Sequence, residues 1–119
     1  MGKNSRKSGD EGEEMAVKFL TDKGYDIVER NYHFGHGEID IIAEDNNTLV
    51  FVEVKTRESL EYGLPECSIT KGKQSQIRKI ASAYLYEKEI SDKICRLDVI
   101  AIVLQKGKEP YINHIENAF

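Results

Sequence analysis

The stretch GEIDIIAEDNNTLVFVEVKTR, residues 37–57, contains two apolar segments that carry ionisable side chains in their interior. Asp40 stands between two isoleucines, and Glu53 stands between two valines, with Lys55 two residues further on. The segments are rich in residues typical of buried strands, and the DNN between them is typical of a tight turn. Charged side chains are rarely buried without a partner. The stretch therefore predicts a β-hairpin whose interior charged side chains contact a partner or a ligand.

A metal site accounts for the two acids of this hairpin. Alternate residues of a strand share a face, so Glu53 and Lys55 lie together. A turn at residues 45–47 puts Asp40 on the neighbouring strand close to Glu53, where paired Cβ atoms are about 5 Å apart. Carboxylates this close repel unless a cation or a proton lies between them, and Mg²⁺ commonly binds one or two carboxylates. The alternative interpretation of Lys55 is a simple ion pair with either acid.

The rest of the chain predicts one α/β domain. We expect residues 1–7 to form a mobile tip before a single domain over 8–119. An S-x-x-E capping box from Ser8 and a stop at Gly24 predict a first helix over about 10–23. The further predicted elements are a strand near 25–33, the two hairpin strands, a helix over 70–88, a strand over 96–104 and an edge strand within 110–119. The order α-β-β-β-α-β(-β) indicates a sheet covered by helices in two or three layers.

Composition and charge limit the classes of function. The net charge is −4, from 17 basic and 21 acidic side chains, so any nucleic-acid site must depend on local charge. No apolar run approaches the ~20 residues of a membrane span, and the first residues have no apolar segment typical of a secretory signal. Cys67 and Cys95 lack metal-site spacing and predict reduced thiols in a cytoplasmic protein.

Two further acids are candidates for the same site. On a helical wheel Glu13 falls between Ala16 and Val17, inside the apolar arc of the first helix. The alternative interpretation is a first-turn acid that complements the helix dipole. Glu38 alternates with Asp40 on one face of its strand. Three interpretations of Glu38 remain open: it is a metal ligand, it supports the ligands, or it is a solvated residue at the end of the strand.

The order of these residues resembles the PD-(D/E)xK nuclease site, with EID supplying Asp40 and EVK supplying Glu53 and Lys55. The segments GEEMAVKFL, RNY, ITKGKQ and RLDVIAI extend the similarity, and the chain resembles the YraN family over about 12–102. This family of small bacterial proteins is similar to archaeal Holliday-junction resolvases. The resemblance implies the restriction-endonuclease-like fold, a mixed central β-sheet flanked by helices. The chain departs from the motif in one respect, because Ile39 replaces the proline before Asp40.

The resemblance implies catalytic roles for Asp40, Glu53, Lys55 and the helix acid Glu13. Asp40, Glu53 and the Val54 backbone carbonyl would hold Mg²⁺ or Mn²⁺, and the metal would activate a water for phosphodiester hydrolysis. Lys55 would stabilise transition-state charge or orient the water. The implied activity is an endonuclease on branched or structured DNA. A non-catalytic nucleic-acid-binding adaptor on the same scaffold is the alternative, since a fold does not fix a function.

Nucleic acid would be held by local basic groups. The segment TKGKQSQIRK at 70–79 contains four basic residues and no acid. We expect Lys71, Lys73 and Gln74 at the start of its helix, together with Arg57, to contact phosphate. The alternative for each base is a solvated surface charge. DNA is favoured over RNA as the partner, and the sequence leaves open whether the protein forms a homodimer.

Two smaller groups of polar residues have structural interpretations. His33 and His36 flank a glycine turn, and without further soft ligands nearby they do not indicate a zinc site. Arg96 and Asp98 begin a buried strand and predict a structural pair or a group that supports the site.

Overall fold

A five-stranded mixed β-sheet forms the centre of the molecule. The computed structural model describes residues 2–61, 63–65 and 69–119, with side chains from residue 9 onward. The elements are, in chain order, α1 (Gly2–Asp22), β1 (Asp26–Phe34), β2 (Gly37–Asp45), β3 (Thr48–Arg57), α2 (Lys71–Glu87), β4 (Ile94–Val103) and β5 (Tyr111–Ile115). The strands lie in the order β1-β2-β3-β4-β5; β3 and β4 run parallel, and the other neighbouring pairs run antiparallel. The predicted mixed sheet with flanking helices is confirmed, including the edge strand β5.

The two helices cover opposite faces of the sheet. Leu20 of α1 belongs to one apolar cluster with Val52, whereas Ile80 of α2 belongs to another with Phe51. Consecutive residues of a strand point to opposite faces, so the clusters lie on the two sides of β3. The architecture is therefore three-layered, α/β/α. Each fully buried large apolar side chain in these clusters contributes roughly 1.5–3 kcal/mol to stability.

Helix α1 begins earlier than the sequence predicts. It starts at Gly2, so the predicted start at the Ser8 capping box is wrong, while its end at Asp22 agrees with the predicted stop. Lysine and arginine, which favour helices, occupy much of the segment before Ser8, and no proline interrupts it. The division into a mobile tip at 1–7 and a domain over 8–119 stays a prediction.

The structure also bears on the membrane and cysteine predictions. Within the described residues, no helix has both the length and the apolar character needed to cross a membrane. Cys95 is a free, exposed cysteine. Cys67 lies outside the described residues.

Two glycines allow the helices to approach the sheet closely. A Cβ atom added to Gly12 of α1 would overlap the side chain of Thr56 on β3. A Cβ atom added to Gly37 of β2 would lie 2.8 Å from both Gln76 Nε2 and Ile80 Cδ1 of α2. The absence of a side chain at these glycines therefore brings α1 and α2 against the region where β2 and β3 diverge.

The strands β2 and β3 separate before they end. Their antiparallel pairing runs from the turn to Ile41 and Val52. Beyond that pair, β2 continues beside β1 and β3 continues beside β4. Asp40 and Glu53 occupy the next position in the same register. We call this region, Asp40 with residues 53–57, the sheet fork.

Candidate active site

Asp40 lies at the sheet fork and bonds to the opposite strand. The backbone N–H of Val54 donates to Asp40 Oδ2 at 2.8 Å. Since β2 and β3 no longer pair here, the carboxylate satisfies a backbone donor at the point where the ladder ends. The bond also confirms that Asp40 lies against the β3 segment that contains Glu53, as the hairpin register predicts.

Asp40 carries a proton at neutral pH when no cation is near. Burial is the largest influence and raises the pKa of Asp40, and the charge of Glu53 raises this pKa further. The charges of Glu38 and Glu13 act in the same direction, whereas the bond from Val54 lowers the pKa. The outcome is a pKa of about 8 against an ordinary value of 3.8. The two acids thus repel as predicted, and a proton on Asp40 relieves the repulsion.

Glu53 is buried, with 6% of its surface exposed, and it pairs with Lys73 of α2. Lys73 Nζ lies 3.7 Å from Glu53 Oε2. The alternative interpretation of Lys55 was an ion pair with Glu53 or Asp40. That pair is not formed, because among the described side chains no carboxylate lies within 4.0 Å of the Lys55 ammonium. Lys55 therefore keeps its charge available for a ligand.

A cleft of about 390 Å³ opens beside the sheet fork. It is lined by residues from α1, β2 and β3: Gly9, Asp10, Glu13, Asp40, Val54, Lys55 and Thr56. Three of the four predicted catalytic residues, Asp40, Lys55 and Glu13, therefore face one cleft. The fourth, Glu53, is buried next to it.

Glu13 is held in place by two consecutive residues of β1. Arg30 Nη2 donates to Glu13 Oε1 at 3.0 Å, and Asn31 Nδ2 donates to Glu13 Oε2 at 3.1 Å. Arg30 also bonds to Glu14 at 2.8 Å, and the bonds to Glu14 and Glu13 raise the pKa of Arg30. Because α1 starts at Gly2, Glu13 is far from the first turn, and the helix-dipole interpretation of Glu13 is wrong.

The roles of Arg30 and Asn31 are not evident from the sequence alone. Asn31 has a positive φ of 53°, a conformation that asparagine tolerates better than most residues. The Arg-Asn pair belongs to the RNY segment that resembles a known family, but its contact with α1 depends on tertiary packing. An asparagine inside a predicted strand was the one local signal, because asparagine is depleted in strands.

Glu38 lies near Asp40 but is partly solvated. Its side chain is 39% exposed and pairs with His33, with 3.1 Å between Glu38 Oε2 and His33 Nε2. Its charge still raises the pKa of Asp40. This position favours a supporting role over direct ligation.

The donor set at the fork fits a hard divalent cation with few protein ligands. Over the part of the chain that the structure describes, no group of three or more His, Cys, Asp or Glu side chains is arranged to hold a metal ion. Two carboxylates remain, Asp40 and Glu53. The charges of Glu53, Glu38 and Glu13 add to burial, which is the largest cause, in raising the pKa of Asp40. Mg²⁺ commonly uses only one or two carboxylates and takes waters or phosphate for its other positions.

The predicted nucleic-acid contacts lie at different distances from the site. Lys73 reaches it directly through Glu53. Lys71 is exposed at the start of α2, and Arg57 is half-buried at the end of β3. The Gln74 amide donates to the Ile69 carbonyl at 3.3 Å, so this side chain is engaged with the preceding loop. These four contacts stay predictions.

Asp98 is the centre of a buried polar network on the α1 face. Arg96 donates to both oxygens of Asp98 at 2.9 Å, and Arg96 Nη2 donates to Tyr25 Oη at 2.7 Å. The Asn117 N–H donates to Asp98 at 2.9 Å, and His114 Nε2 lies 2.7 Å from it. Burial alone would raise the pKa of Asp98, but the bonds from His114, Arg96 and Asn117 together lower it. The predicted structural pair of Arg96 and Asp98 is confirmed.

These observations define a class: a three-layer α/β/α protein with two acids at a fork in its sheet and a lysine in the adjoining cleft. The chain belongs to the family described as Uncharacterised protein family UPF0102, the YraN family, whose model matches residues 12–102.

Proteins of this family from several organisms match most of the chain. A UPF0102 protein of Trichlorobacter lovleyi is 48% identical over 120 residues, which cover 100% of this chain and 94% of the relative. A UPF0102 protein of Caldicellulosiruptor saccharolyticus is 43% identical over 117 residues, or 98% of this chain and 99% of the relative. A UPF0102 protein of Rhodococcus opacus is 42% identical over 111 residues, which cover 93% of this chain and 94% of the relative. The similarity therefore includes the whole sheet fork.

Proposed function

We propose that this protein is a metal-dependent endonuclease that hydrolyses phosphodiester bonds in branched or structured nucleic acid, DNA rather than RNA. The observation that carries the proposal is the acid pair at the sheet fork. Asp40 has a pKa of about 8 beside the buried Glu53, and Lys55 lines the same cleft without an acidic partner among the described side chains. A purely structural core has no need of this arrangement, whereas metal-assisted hydrolysis uses all three groups.

We assign the metal to the Asp40 and Glu53 carboxylates and the Val54 backbone carbonyl. A Mg²⁺ or Mn²⁺ ion held there would supply Lewis-acid chemistry for phosphodiester hydrolysis, polarising a phosphoryl oxygen and making water a better nucleophile. Val54 N–H fixes Asp40 Oδ2, which leaves the other oxygen of this carboxylate for a ligand. Asp40 must lose its proton before it can act as a ligand, because only the carboxylate binds a cation well.

The remaining residues of the cleft act through charge and position. Lys55 stabilises the negative charge that develops on the phosphoryl group, since no acid among the described side chains holds its ammonium. Glu13 is fixed by Arg30 and Asn31, so it presents a negative group of constant position to a water at the cleft. Lys73 offsets the charge of the buried Glu53 at 3.7 Å, and a cation bound to Glu53 would leave the Lys73 ammonium available for the substrate.

The substrate approaches a locally basic side of an acidic protein. Lys71 and Lys73 at the start of α2, with Lys55 and Arg57 on β3, provide positive charge around the fork despite a net charge of −4. Such local contacts bind phosphates independently of base sequence. The free Cys95 thiol agrees with a reducing compartment, and we assign the activity to the cytoplasm.

The test is a panel of labelled substrates, comprising four-way junctions, flaps, gapped duplexes, linear duplexes and matching RNAs, incubated with Mg²⁺ or Mn²⁺. We expect metal-dependent cleavage of at least one branched or structured DNA by the wild type and none by Asp40→Asn. Equal cleavage by both proteins would indicate a contaminating nuclease. Absence of cleavage by the wild type in either metal would refute the proposal.

A non-catalytic adaptor that binds structured nucleic acid is the second candidate. The pairing of Glu53 with Lys73 favours it, because this lysine already neutralises one of the proposed ligands. The same panel separates the two functions when binding is measured alongside cleavage. Tight binding of branched DNA by both the wild type and Asp40→Asn, without cleavage in any metal, is the result that an adaptor predicts.

A further inference from the structure

A second cavity, of about 240 Å³, lies between the β1–β2 turn and helix α2. Its walls include Phe34, His36, Gly37, Gln76, Lys79 and Ile80. We call it the turn pocket. None of these residues belongs to the proposed catalytic set.

The turn pocket exists because a glycine faces an aromatic residue. Phe34 pairs with Gly37 across the β1–β2 turn, so no partner side chain covers the ring, which is 47% exposed. An added Cβ at Gly37 would lie 2.8 Å from Gln76 Nε2 and Ile80 Cδ1, so a larger residue there would have to displace the ends of these two side chains. The glycine therefore both seats α2 on the turn and leaves one side of the Phe34 ring open.

The polar groups of the turn pocket lack partners within the described part of the chain. Gln76 has no hydrogen bond from its amide, and Lys79 has no carboxylate within ion-pairing distance. No acid lines the cavity. An aromatic face, an amide with donor and acceptor, and a free ammonium are the groups that bind an unpaired nucleobase and its phosphate.

The size of the turn pocket agrees with one flat ring system. Its 240 Å³ equals about eight water volumes of roughly 30 Å³ each. This lies below the roughly 300–1,000 Å³ of pockets for drug-sized ligands. A single base fits this scale better than a whole nucleotide cofactor.

The turn pocket is also close to the sheet fork. Gln76 lies one helical turn after Lys73, which reaches Glu53, and a turn advances a helix by about 5.4 Å. Gly37 lies three residues before Asp40 on β2, roughly 10 Å along a strand. A nucleic-acid strand with a phosphate at the fork can therefore place a nearby base in the pocket.

We propose that the turn pocket binds an unpaired nucleobase of the substrate strand, stacked on Phe34 and contacted by Gln76 and Lys79. The proposal deepens the function assigned above and rests on it for the nature of the substrate. It implies a preference for nucleic acids that offer an unpaired base beside the phosphate held at the fork.

The chain has no tryptophan, so Phe34→Trp places a single fluorescent indole in the pocket. The probes are a gapped DNA duplex with unpaired bases, the same duplex with abasic positions in the gap, and a blunt duplex, all in Ca²⁺. Tyr86→Trp is the matched control, because Tyr86 is 89% exposed near the other end of α2. We expect the gapped duplex with bases to quench Phe34→Trp strongly, the abasic and blunt duplexes to quench it weakly, and Tyr86→Trp to respond to none.

A binding measurement completes the test. Phe34→Leu keeps an apolar side chain but loses the stacking face, and we expect about tenfold weaker binding of the gapped duplex with unchanged binding of the blunt duplex. Two results would overturn the assignment of the turn pocket to a nucleobase. One is equal quenching by the gapped duplexes with and without bases, and the other is equal affinity of Phe34→Leu and wild type for the gapped duplex. Base-dependent quenching without cleavage in any metal supports the pocket and overturns only the nuclease activity.

Discussion

Val54 donates its backbone N–H to the carboxylate of Asp40 over 2.8 Å, across the point where β2 and β3 stop pairing. The Asp40 carboxylate therefore takes the place of the strand partner that the Val54 N–H lacks, so the separation of β2 from β3 and the position of Asp40 depend on each other. Asparagine at position 40 keeps a carbonyl oxygen that can accept the same bond, while it removes the charge and the titration. Asp40→Asn is thus the variant that separates the electrostatics of the site from its architecture.

Without divalent cations, the protein should lose stability as the pH rises from about 4 to about 8. The pKa of Asp40 is about 8 in the folded state against 3.8 ordinarily, so within this range the folded state holds a proton that the unfolded state has released. Stability then falls with rising pH, by at most ~1.4 kcal/mol per pH unit from this group. Urea unfolding in EDTA across this range measures the slope.

Asp40→Asn should remove the contribution of this group from the slope. The exposed Glu61→Gln is a matched acid-to-amide control and should leave the slope as in the wild type. An unchanged slope in Asp40→Asn would show that the proton on Asp40 does not contribute to the stability of the fold.

Millimolar Mg²⁺ or Mn²⁺ should raise the melting temperature of the wild type. A ligand that binds only the folded state stabilises it, by about 2.7 kcal/mol at a concentration of 100 Kd. The increase should grow with pH up to about 8, because the cation must displace the proton on Asp40. Calorimetric scans at several pH values measure both effects. An equal increase in Asp40→Asn would place the bound metal elsewhere.

Local pattern predicted most of this site, and the missing parts depend on tertiary contacts. β-Branched and aromatic residues around Asp40 and Glu53 predict the strands, and the hairpin register brings the two acids together. The sequence also placed Lys73 at the start of α2 as a basic group of the site, although its pairing with Glu53 was not predicted. The side-chain periodicity of a strand and of a helix is enough to predict these positions.

The parts that were missed join elements distant in the sequence. The bonds from Arg30 and Asn31 to Glu13 connect β1 to α1, and no periodicity within either segment reports on that packing. The pairing of His114 with Asp98 depends on the position of the edge strand β5 beside β4. Phe34 gave no local signal, since its exposure results from the glycine opposite it.

Replacement of Asp98 should strongly destabilise the fold. Asp98→Asn removes the fully buried charge that Arg96 contacts with two bonds, and leaves Arg96 with the partly exposed Glu116 carboxylate at 3.5 Å as its charged partner. Removal of one member of a buried ion pair typically costs about 3–5 kcal/mol. The pKa of Asp98 is lowered in the folded state, so its contribution is full above the ordinary carboxyl range and is lost as the pH falls through the folded pKa. The difference between wild type and variant should therefore shrink in strong acid.

Urea unfolding of both proteins at neutral and acidic pH measures this difference. Asp22→Asn is the control, because the Asp22 pair with Lys18 is exposed and should contribute well under 1 kcal/mol. A loss of similar size for Asp98→Asn and Asp22→Asn would contradict the assignment of Asp98 as the centre of a stabilising network.

Lys55→Ala should lower the rate of cleavage while it preserves binding. The Lys55 ammonium has no acidic partner within the described structure, so its removal leaves no protein charge uncompensated. A group that stabilises only developing charge affects the chemical step more than ground-state affinity, and its loss typically costs about 10²–10³ in rate. Single-turnover cleavage in Mg²⁺ and equilibrium binding in Ca²⁺ measure the two quantities. Cleavage at the wild-type rate would remove Lys55 from the mechanism.

Lys73→Ala should have a different effect, because Lys73 has two partners in the proposed function. Loss of its phosphate contact should weaken binding of all substrates and reduce the salt dependence of binding by about one charge. Loss of its pairing with Glu53, at 3.7 Å, leaves a buried acid that a proton or a cation must neutralise, so Mg²⁺ should bind the variant at least as tightly as the wild type at a pH where Glu53 is ionised. Titration calorimetry with Mg²⁺ and binding at several salt concentrations test both statements. Weaker metal binding by Lys73→Ala would show that Lys73 orients Glu53 for the cation and does not compete with it.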